Sequence, residues 1–171
     1  VNTVVAKDYD GISRPQNSAY DIGVYEYGEL DTTAPDAVNN LTVAAGAGWG
    51  QVNLSWTAPG NDGNSGTAAT YIIKYSTSAI TTDAQFDAAL DVAEGEPAPS
   101  AAGTNQSLTV SGLTAGTTYF FAMKTQDGVP NISALSNSAS NIAPVLAAIG
   151  NKTVDENAGL TFTVCATGGA Q

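Results

Sequence analysis

The chain has 171 residues, which is enough for one or two domains. It carries 16 acidic residues, 5 basic residues and no histidine, for a formal net charge of -11. This charge excludes nucleic acid and anionic membrane surfaces as expected partners, because both are bound through lysine and arginine. The single cysteine, Cys165, excludes an internal disulfide, and no apolar run approaches the ~20 residues of a membrane span. We therefore expect a domain that depends on its hydrophobic core and does not insert into a membrane.

The first segment, residues 1–27, carries the motifs DYDG at 8–11 and DIGVYEY at 21–27, with an Arg-Pro pair between them. It resembles the closing segment of a right-handed parallel β-helix of the pectate-lyase-like type. The resemblance implies that the solenoid preceded Val1 and that the remnant cannot bury its apolar face alone. The following run GELDTTAP, residues 28–35, is predicted to be a linker.

Residues 36–142 form the predicted central domain, and their pattern is β throughout. Apolar and polar residues alternate in five runs, and strict alternation marks a strand with one buried face. Turn signals rich in glycine, asparagine and aspartate separate the runs. Together with a weaker run at 133–141, they predict a β-sandwich. The expected inward residues are Leu41, Val43 and Ala45, then Val52, Leu54 and Trp56, then Tyr71, Ile73 and Tyr75, then Leu108 and Val110, and finally Tyr119, Phe121 and Met123.

One interruption of the strand pattern is helical. Thr82 and Gln85 match a capping box, in which each side chain accepts a main-chain N–H of the other residue. Apolar residues that include Phe86 and Leu90 then follow at helical spacing. The spacing predicts a short helix at about residues 83–92, laid on one sheet.

The central segment, residues 35–142, resembles a bacterial fibronectin type III domain. The resemblance implies an all-β fold, an immunoglobulin-like β-sandwich with one short inserted helix. Several motifs together carry it, and each alone would be weak. They are Pro35 and Leu41, the run LSWTAP at 54–59, Tyr71 and Tyr75, the run LTAGTTY at 113–119, and Asp127, Asn131, Ser133, Leu135, Ser136 and Asn137.

The resemblance also implies structural roles for Trp56, Tyr71, Leu113 and Tyr119. Trp56 would fill the space between the sheets, with its indole N–H bonded to an acceptor. Tyr119 follows the turn that begins at Leu113 and would form a tyrosine corner, its hydroxyl bonded to main chain just upstream. Tyr71 is expected in the core.

The last segment, residues 143–171, resembles the first strands of a cadherin-like or other immunoglobulin-like domain. Its pattern is PVL at 144–146, IGNKTVDEN at 149–157 and an alternating run at 160–164. About 28 residues are far fewer than the ~100 that such a sandwich needs. We therefore expect an incomplete domain here, and a chain that belongs to a longer protein.

The residue inventory gives little support to catalysis. Without histidine there is no base for a serine or cysteine nucleophile and no usual zinc set. Glycosidases use two carboxyl groups, but nothing in the sequence brings two acidic residues across a cleft. We predict that the chain is not an enzyme.

Calcium is the metal that oxygen-rich loops could bind. Asp62 and Asn64 lie in an Asn-Asp-Gly-Asn run whose composition is similar to that of calcium loops. Asp155 and Glu156 match acidic positions of a cadherin-like domain. The first run lacks the full loop spacing and the closing glutamate, so a polar hairpin loop is the favoured interpretation. We predict no cofactor, with calcium as the alternative.

Exposed aromatic and apolar residues are the remaining candidates for binding. Trp49 lies between two glycines and is the candidate for contact with the face of a sugar. Ile72 and Phe120 would point away from the core, and an outer apolar pair can be an interaction patch. The favoured alternative is that Phe86 and Leu90 of the predicted helix cover this pair.

These patterns favour a non-catalytic spacer and interaction module of a secreted or cell-surface multidomain bacterial protein, with a polysaccharide-active parent as one form of it. Two alternatives stay open: a glycan-binding or protein-binding adhesion module, and a fragment of an enzyme whose active site lies upstream in a β-helix. The expected partners are neighbouring domains of the same polypeptide, and polysaccharide or a surface protein beyond them. We expect a monomer located outside the cell or at its surface.

Overall fold

The structure is a computed structural model, and its internal contacts divide the chain into two compact units, Val1–Thr32 and Thr33–Gln171. Nearly all described residues belong to the second unit. The predicted β-helix remnant at 1–27 lies outside the described residues, as does most of the predicted cadherin-like segment at 143–171. The described residues are 31–92, 95–129, 131–146 and 166–167.

The described part of the chain is built from short strands and one short helix. Two antiparallel sheets hold most of the strands, and a separate pair lies near the end of the chain. In chain order the elements are β1 (Thr42–Ala45), β2 (Val52–Thr57), β3 (Thr70–Ser76), α1 (Asp83–Ala88), β4 (Leu90–Asp91), β5 (Asn105–Val110), β6 (Thr118–Gln126), β7 (Ala139–Ile142), β8 (Val145–Leu146) and β9 (Ala166–Thr167).

The two main sheets form a sandwich. The three-stranded sheet has the order β1-β2-β5, and the four-stranded sheet has the order β4-β3-β6-β7. All neighbouring strands are antiparallel. The predicted all-β immunoglobulin-like sandwich with one short inserted helix is therefore confirmed.

The core lies between the two sheets and is filled by the inward residues of the alternating strands. In β2, Val52, Leu54 and Trp56 are buried while the residues between them are exposed. The Trp56 ring meets the Tyr71 ring edge-on, with 5.3 Å between centroids and 87° between planes. This edge-to-face geometry is the one that aromatic quadrupoles favour. The contact joins the two sheets within the core.

The chain enters and leaves this sandwich at opposite ends. At the entry end, the Asp36 N–H donates to the Gly63 carbonyl at 3.1 Å, and Gly63 N–H donates to Ala34 at 3.0 Å. At the exit end, the Gly50 N–H donates to the Pro144 carbonyl at 3.2 Å. Because β1 points from the first end toward the second, the two connections lie at opposite ends of the sandwich.

Asparagine side chains close the gap between β1 and β7, the edge strands of the two sheets on the same side. Asn137 accepts the Leu41 N–H at 3.0 Å and donates to the Leu41 carbonyl at 2.9 Å. Asn141 donates to the Val43 carbonyl at 3.1 Å. These amides occupy main-chain groups that an exposed edge would otherwise offer to another chain.

The predicted helix is present but shorter than expected, because it ends at Ala88. Its capping box is formed as predicted, with the Gln85 N–H donating to Thr82 Oγ1 at 3.3 Å and Gln85 Oε1 accepting the Thr82 N–H at 3.1 Å. Ala89 is extended, and Leu90 then pairs with Tyr75 as part of β4. The expected helix to residue 92 is wrong, because pairing with β3 overrides the helical spacing.

The helix covers the outer face of the four-stranded sheet, although only one of the two expected residues does so. Phe86 is 3% exposed and packs with Ile72, which confirms that half of the prediction. Leu90 is 63% exposed, so its expected role as cover is wrong. Phe120 is half-buried. The buried members of this outer cluster are Ile80, Phe86 and Ala122.

The weak run predicted at 133–141 becomes a strand only at β7. Before β7 begins, Ser133 and Ser136 lie beside β6. Their main-chain N–H groups donate to carbonyl groups of β6, and their hydroxyl groups accept N–H groups of β6. The Thr125 N–H donates to Ser133 Oγ at 2.9 Å, and the Met123 N–H donates to Ser136 Oγ at 2.9 Å. Serine hydroxyls thus take positions that a regular strand would fill with carbonyl groups.

Candidate functional site

Trp49 lies at the exit end of the sandwich, in the turn between β1 and β2, and is 65% exposed. Most large apolar side chains of the described residues are buried or half-buried, and Trp49 is the largest of those that are exposed. An exposed indole offers a flat apolar surface and one N–H donor. The structure therefore places the predicted sugar-face candidate where a ligand could reach it.

The turn that carries Trp49 is fixed by hydrogen bonds on both sides. The Gly48 N–H donates to the Gln51 side-chain oxygen at 3.0 Å, and the Leu113 N–H donates to the Gly50 carbonyl at 3.1 Å. Gly50 has a φ of 63°, and a Cβ there would lie 2.4 Å from the Leu113 carbonyl oxygen. Glycine is therefore required at this position. The indole is thus presented by a backbone with little freedom.

The outer face of the three-stranded sheet carries no charge and no large apolar group. Its positions alternate with the inward core residues and are mostly exposed. We call this surface the neutral face. Its residues are Thr42, Ala44, Asn53, Ser55, Thr57, Asn105, Ser107 and Thr109.

Side chains of the neutral face bond to one another across the strands. Thr42 Oγ1 and Ser55 Oγ lie 2.8 Å apart, and Thr109 Oγ1 donates to Asn53 Oδ1 at 2.8 Å. Such cross-strand pairs stabilise a sheet modestly. They also hold the hydroxyl and amide groups in defined positions.

A groove of about 400 Å³ lies at one end of the neutral face. Asn40, which precedes β1, also lines this groove. Two hydrogen bonds hold it beside Thr57: its side-chain amide donates to Thr57 Oγ1 at 2.7 Å and accepts the Thr57 N–H at 3.1 Å. A second, smaller depression shares Asn40 and Thr57 and reaches Asp36 and Asn64. The residues that line the first groove are Asn40, Thr42, Ser55, Trp56, Thr57 and Asn105.

The loop proposed for calcium, around Asp62 and Asn64, is a hydrogen-bonded turn. Asp62 accepts from the Asn61 amide at 2.9 Å, and Asn64 donates its amide to Asp36. Within the described residues, no group of three or more acidic, histidine or cysteine side chains is arranged to hold a metal ion. Asp155 and Glu156 lie outside those residues. Calcium binding therefore stays a prediction without support from this loop.

The inward aromatics make a polar contact network beside the core. Tyr71 donates its hydroxyl to Gln106 Oε1, and Gln106 donates to the Ala98 carbonyl at 2.9 Å. Burial raises the pKa of the Tyr71 hydroxyl, and the nearby polar group of the Trp56 side chain opposes that shift. The Trp56 Nε1 is buried, and within the described residues its N–H meets no acceptor in good hydrogen-bond geometry, so the expected bond is not seen. The network is structural, because it faces the interior.

The turn before β6 holds the tyrosine corner. Tyr119 is buried, and its hydroxyl accepts the Thr114 N–H at 3.3 Å, which is the contact expected from the sequence. Leu113, one residue earlier, is also buried. Since the same turn bonds Gly50, the tyrosine corner also supports the turn of Trp49.

Within the described part of the chain, Glu96 is the acidic residue whose pKa is shifted. Its Oε1 accepts the Ile73 N–H at 3.1 Å, at the edge of the four-stranded sheet. Burial raises the pKa of this carboxyl, the bond from Ile73 lowers it, and the nearby Asp91 charge raises it. It closes the sheet edge next to the short β4.

The sequence interpretation missed the neutral face. The signal was present in the same alternation that identified the core, because the residues between the inward ones are serine, threonine and asparagine. The apolar positions of each strand predicted the core, whereas the polar positions between them were given no role.

No helix in the described residues is long and apolar enough to cross a membrane.

Comparison with known proteins gives relatives of two kinds. Chitinase A1 of Niallia circulans is 38% identical over an alignment of 116 residues that covers 63% of this chain and 16% of that protein. The chain thus spans about a sixth of the relative's length. A fibronectin-type-III-like protein from Clostridium thermocellum is 20% identical, with a TM-score of 0.42, over 63% of this chain and 92% of that one. Titin module A71 from human cardiac muscle is 19% identical, with a TM-score of 0.43, over 61% and 86%.

The sequence profile of one family matches the sandwich directly. The fibronectin type III domain matches residues 36–138, which are more than half of the chain. Those residues run from the entry end of the sandwich to the start of β7. The chain therefore belongs to the fibronectin type III family.

Proposed function

We propose that this chain is a non-catalytic spacer within a longer extracellular bacterial protein that acts on polysaccharide. The observation that carries the proposal is the placement of the chain's entry and exit at opposite ends of one sandwich. Main-chain bonds at Gly63 and Pro144 fix both ends. A module of this kind sets the distance between its neighbours at roughly 30 Å, the length of a nine-residue strand.

Proline stiffens both joints of this spacer. Pro35 forms a bridge with Gly63 at the entry, and the Pro144 carbonyl accepts from Gly50 at the exit. A fixed φ at each proline reduces the freedom of the connecting chain. The polysaccharide-active and extracellular setting is supported by the similarity to one segment of a bacterial chitinase.

The spacer role is tested by measuring whether the module holds one length. Spin labels are attached to Asn64→Cys and Thr114→Cys, exposed residues at the two ends, in a chain whose native Cys165 is changed to serine. We expect a single narrow distance distribution of roughly 30 Å or more. A broad distribution would contradict a spacer of fixed length.

The non-catalytic part of the proposal has its own assay. The purified chain is incubated with chitin hexasaccharide and with cellohexaose, and the products are separated by chromatography. We expect no cleavage above the buffer control. Cleavage by the chain would overturn the proposal and favour an enzyme.

A further inference from the structure

We propose that the neutral face, together with Trp49 at its end, is a binding surface for neutral polysaccharide. This goes beyond the spacer role, which requires no ligand. The surface runs along β1, β2 and β5, about 20 Å for a six-residue strand. Its groove lies at one end, and the turn of Trp49 lies at the other.

Charge is the first argument for a neutral ligand. The whole chain has a formal net charge of -11, yet none of the eight outward positions of the neutral face is charged. The need for cross-strand contacts does not explain this lack of charge, because oppositely charged pairs also stabilise a sheet. Nucleic acid and other polyanions need lysine or arginine, which this surface lacks.

The second argument concerns what kind of group the surface can bond. Protein partners are held mainly by buried aromatic, arginine and aliphatic anchors, and the strands of the neutral face offer none. They offer hydroxyl and amide groups, which donate and accept hydrogen bonds with the hydroxyl groups of a sugar. Ser107 is exposed at the middle of β5, so a ligand can reach its hydroxyl.

The third argument is the fixed aromatic at the end of the surface. Gln51 donates to Ser111 Oγ at 3.1 Å and thereby joins the turn of Trp49 to the residue that follows β5. A sugar ring has a face of C–H groups, and an indole covers such a face at low entropic cost when its backbone is already fixed. The turn that carries the aromatic residue is therefore joined to the same end of the sheet as the row of hydrogen-bonding groups.

The test is co-sedimentation of the whole chain with insoluble chitin and with cellulose. We expect retention on at least one polymer, unchanged between about 0.1 M and 1 M salt, because no ionic contact is involved. No retention on either polymer would overturn the proposal, as would retention that is lost at high salt. A protein or a charged polymer would then be the partner to seek.

Two variants with matched controls locate the surface. Trp49→Ala is expected to lower the fraction bound roughly tenfold, as for truncation of an aromatic anchor, while Ile132→Ala, also exposed, leaves it unchanged. Ser107→Arg is expected to block the surface, and Ser140→Arg, at an exposed strand position of the other sheet, is its control. Thermal unfolding of each variant checks that the fold is intact. Equal binding by Trp49→Ala and the unchanged chain would refute the proposal, and the spacer role would stand.

Discussion

The two sheets of this domain present opposite kinds of surface to the outside. The outer face of the four-stranded sheet carries apolar residues and two lysines, and the chain covers it with its own helix. The neutral face carries small uncharged polar residues and no segment of the described chain lies over it. The difference shows that the outward apolar residues of one sheet make an internal contact, whereas the surface left exposed on the other sheet is the polar one.

The covered face is held by a combination of apolar and cationic contacts around one ring. Lys74 and Lys124 place their Nζ atoms 5.4 Å and 5.2 Å from the centre of the Phe86 ring. Lys124 also pairs with Asp83 at 2.9 Å, and Lys74 with Asp91 at 3.4 Å. The lysines therefore lie beneath the helix and are not available as a basic site.

The largest contrast is expected from placing the same charge on both faces. Ala122, outward on β6, is fully buried under the helix, so Ala122→Asp should lower the free energy of unfolding by about 4 kcal/mol or prevent folding. Ser107→Asp, on the neutral face, should change it by less than about 0.5 kcal/mol. Urea unfolding measures both. Similar losses for the two variants would contradict the difference between the faces.

Removal of the covering ring comes next in size. Phe86→Ala should lower the free energy of unfolding by about 3 kcal/mol, because it empties the space over Ile72 and removes the ring that both lysines contact. Leu90→Ala is the matched control, since this exposed side chain should contribute less than about 0.5 kcal/mol. If Leu90→Ala is as costly as Phe86→Ala, the helix covers the sheet in a different way.

A smaller effect is expected at the start of the helix. Thr82→Ala removes the acceptor of the Gln85 N–H and should lower the free energy of unfolding by about 1 kcal/mol. Thr82→Ser keeps the acceptor and should be nearly neutral. Chemical denaturation distinguishes the two. An equal loss in both variants would show that the methyl group, and not the cap, matters.

The smallest expected effect depends on pH and concerns Glu96, at the edge of the covered sheet. Because burial raises the pKa of this carboxyl, the folded state holds its proton more tightly than the unfolded state. The contribution to stability is therefore present below the ordinary carboxyl pKa and is lost as the pH rises through the raised value. Glu96→Gln keeps a side-chain oxygen that can accept the Ile73 N–H, but it cannot ionise and so does not lose stability as the pH rises.

Unfolding at two pH values tests this sign. Glu96→Gln should be more stable than the unchanged chain by a few tenths of a kcal/mol at pH 7, since the group is largely exposed, and the difference should disappear near pH 4. A difference of the same size at both pH values would show that ionisation of Glu96 is not its cause.

Strand alternation was a reliable guide to the core because it depends only on the period of the backbone. It placed Trp56 and Phe121 inward, and both are buried. It was wrong at Ala45, the last residue of β1, which is exposed. Helical spacing identified Phe86 for the same reason. It failed at Leu90, because pairing of β4 with β3 depends on residues distant in sequence.

The candidate site was less accessible to sequence reasoning than the core. Exposure of Trp49 depends on how its turn is tied to Leu113 and Pro144, which are far along the chain. The neutral face could have been listed from alternation alone, but its groove depends on the placement of Asn40 beside Thr57.

The contrast between the two faces is tested most directly by a nuclear magnetic resonance titration of the whole chain with chitin hexasaccharide and cellohexaose. We expect amide shifts at Asn53, Ser55 and Ser107 and at the Trp49 indole, with Ala122 and Lys124 unchanged. Shifts centred on the four-stranded sheet, or no shifts at any ligand concentration, would contradict the assignment of the neutral face as the surface for a partner.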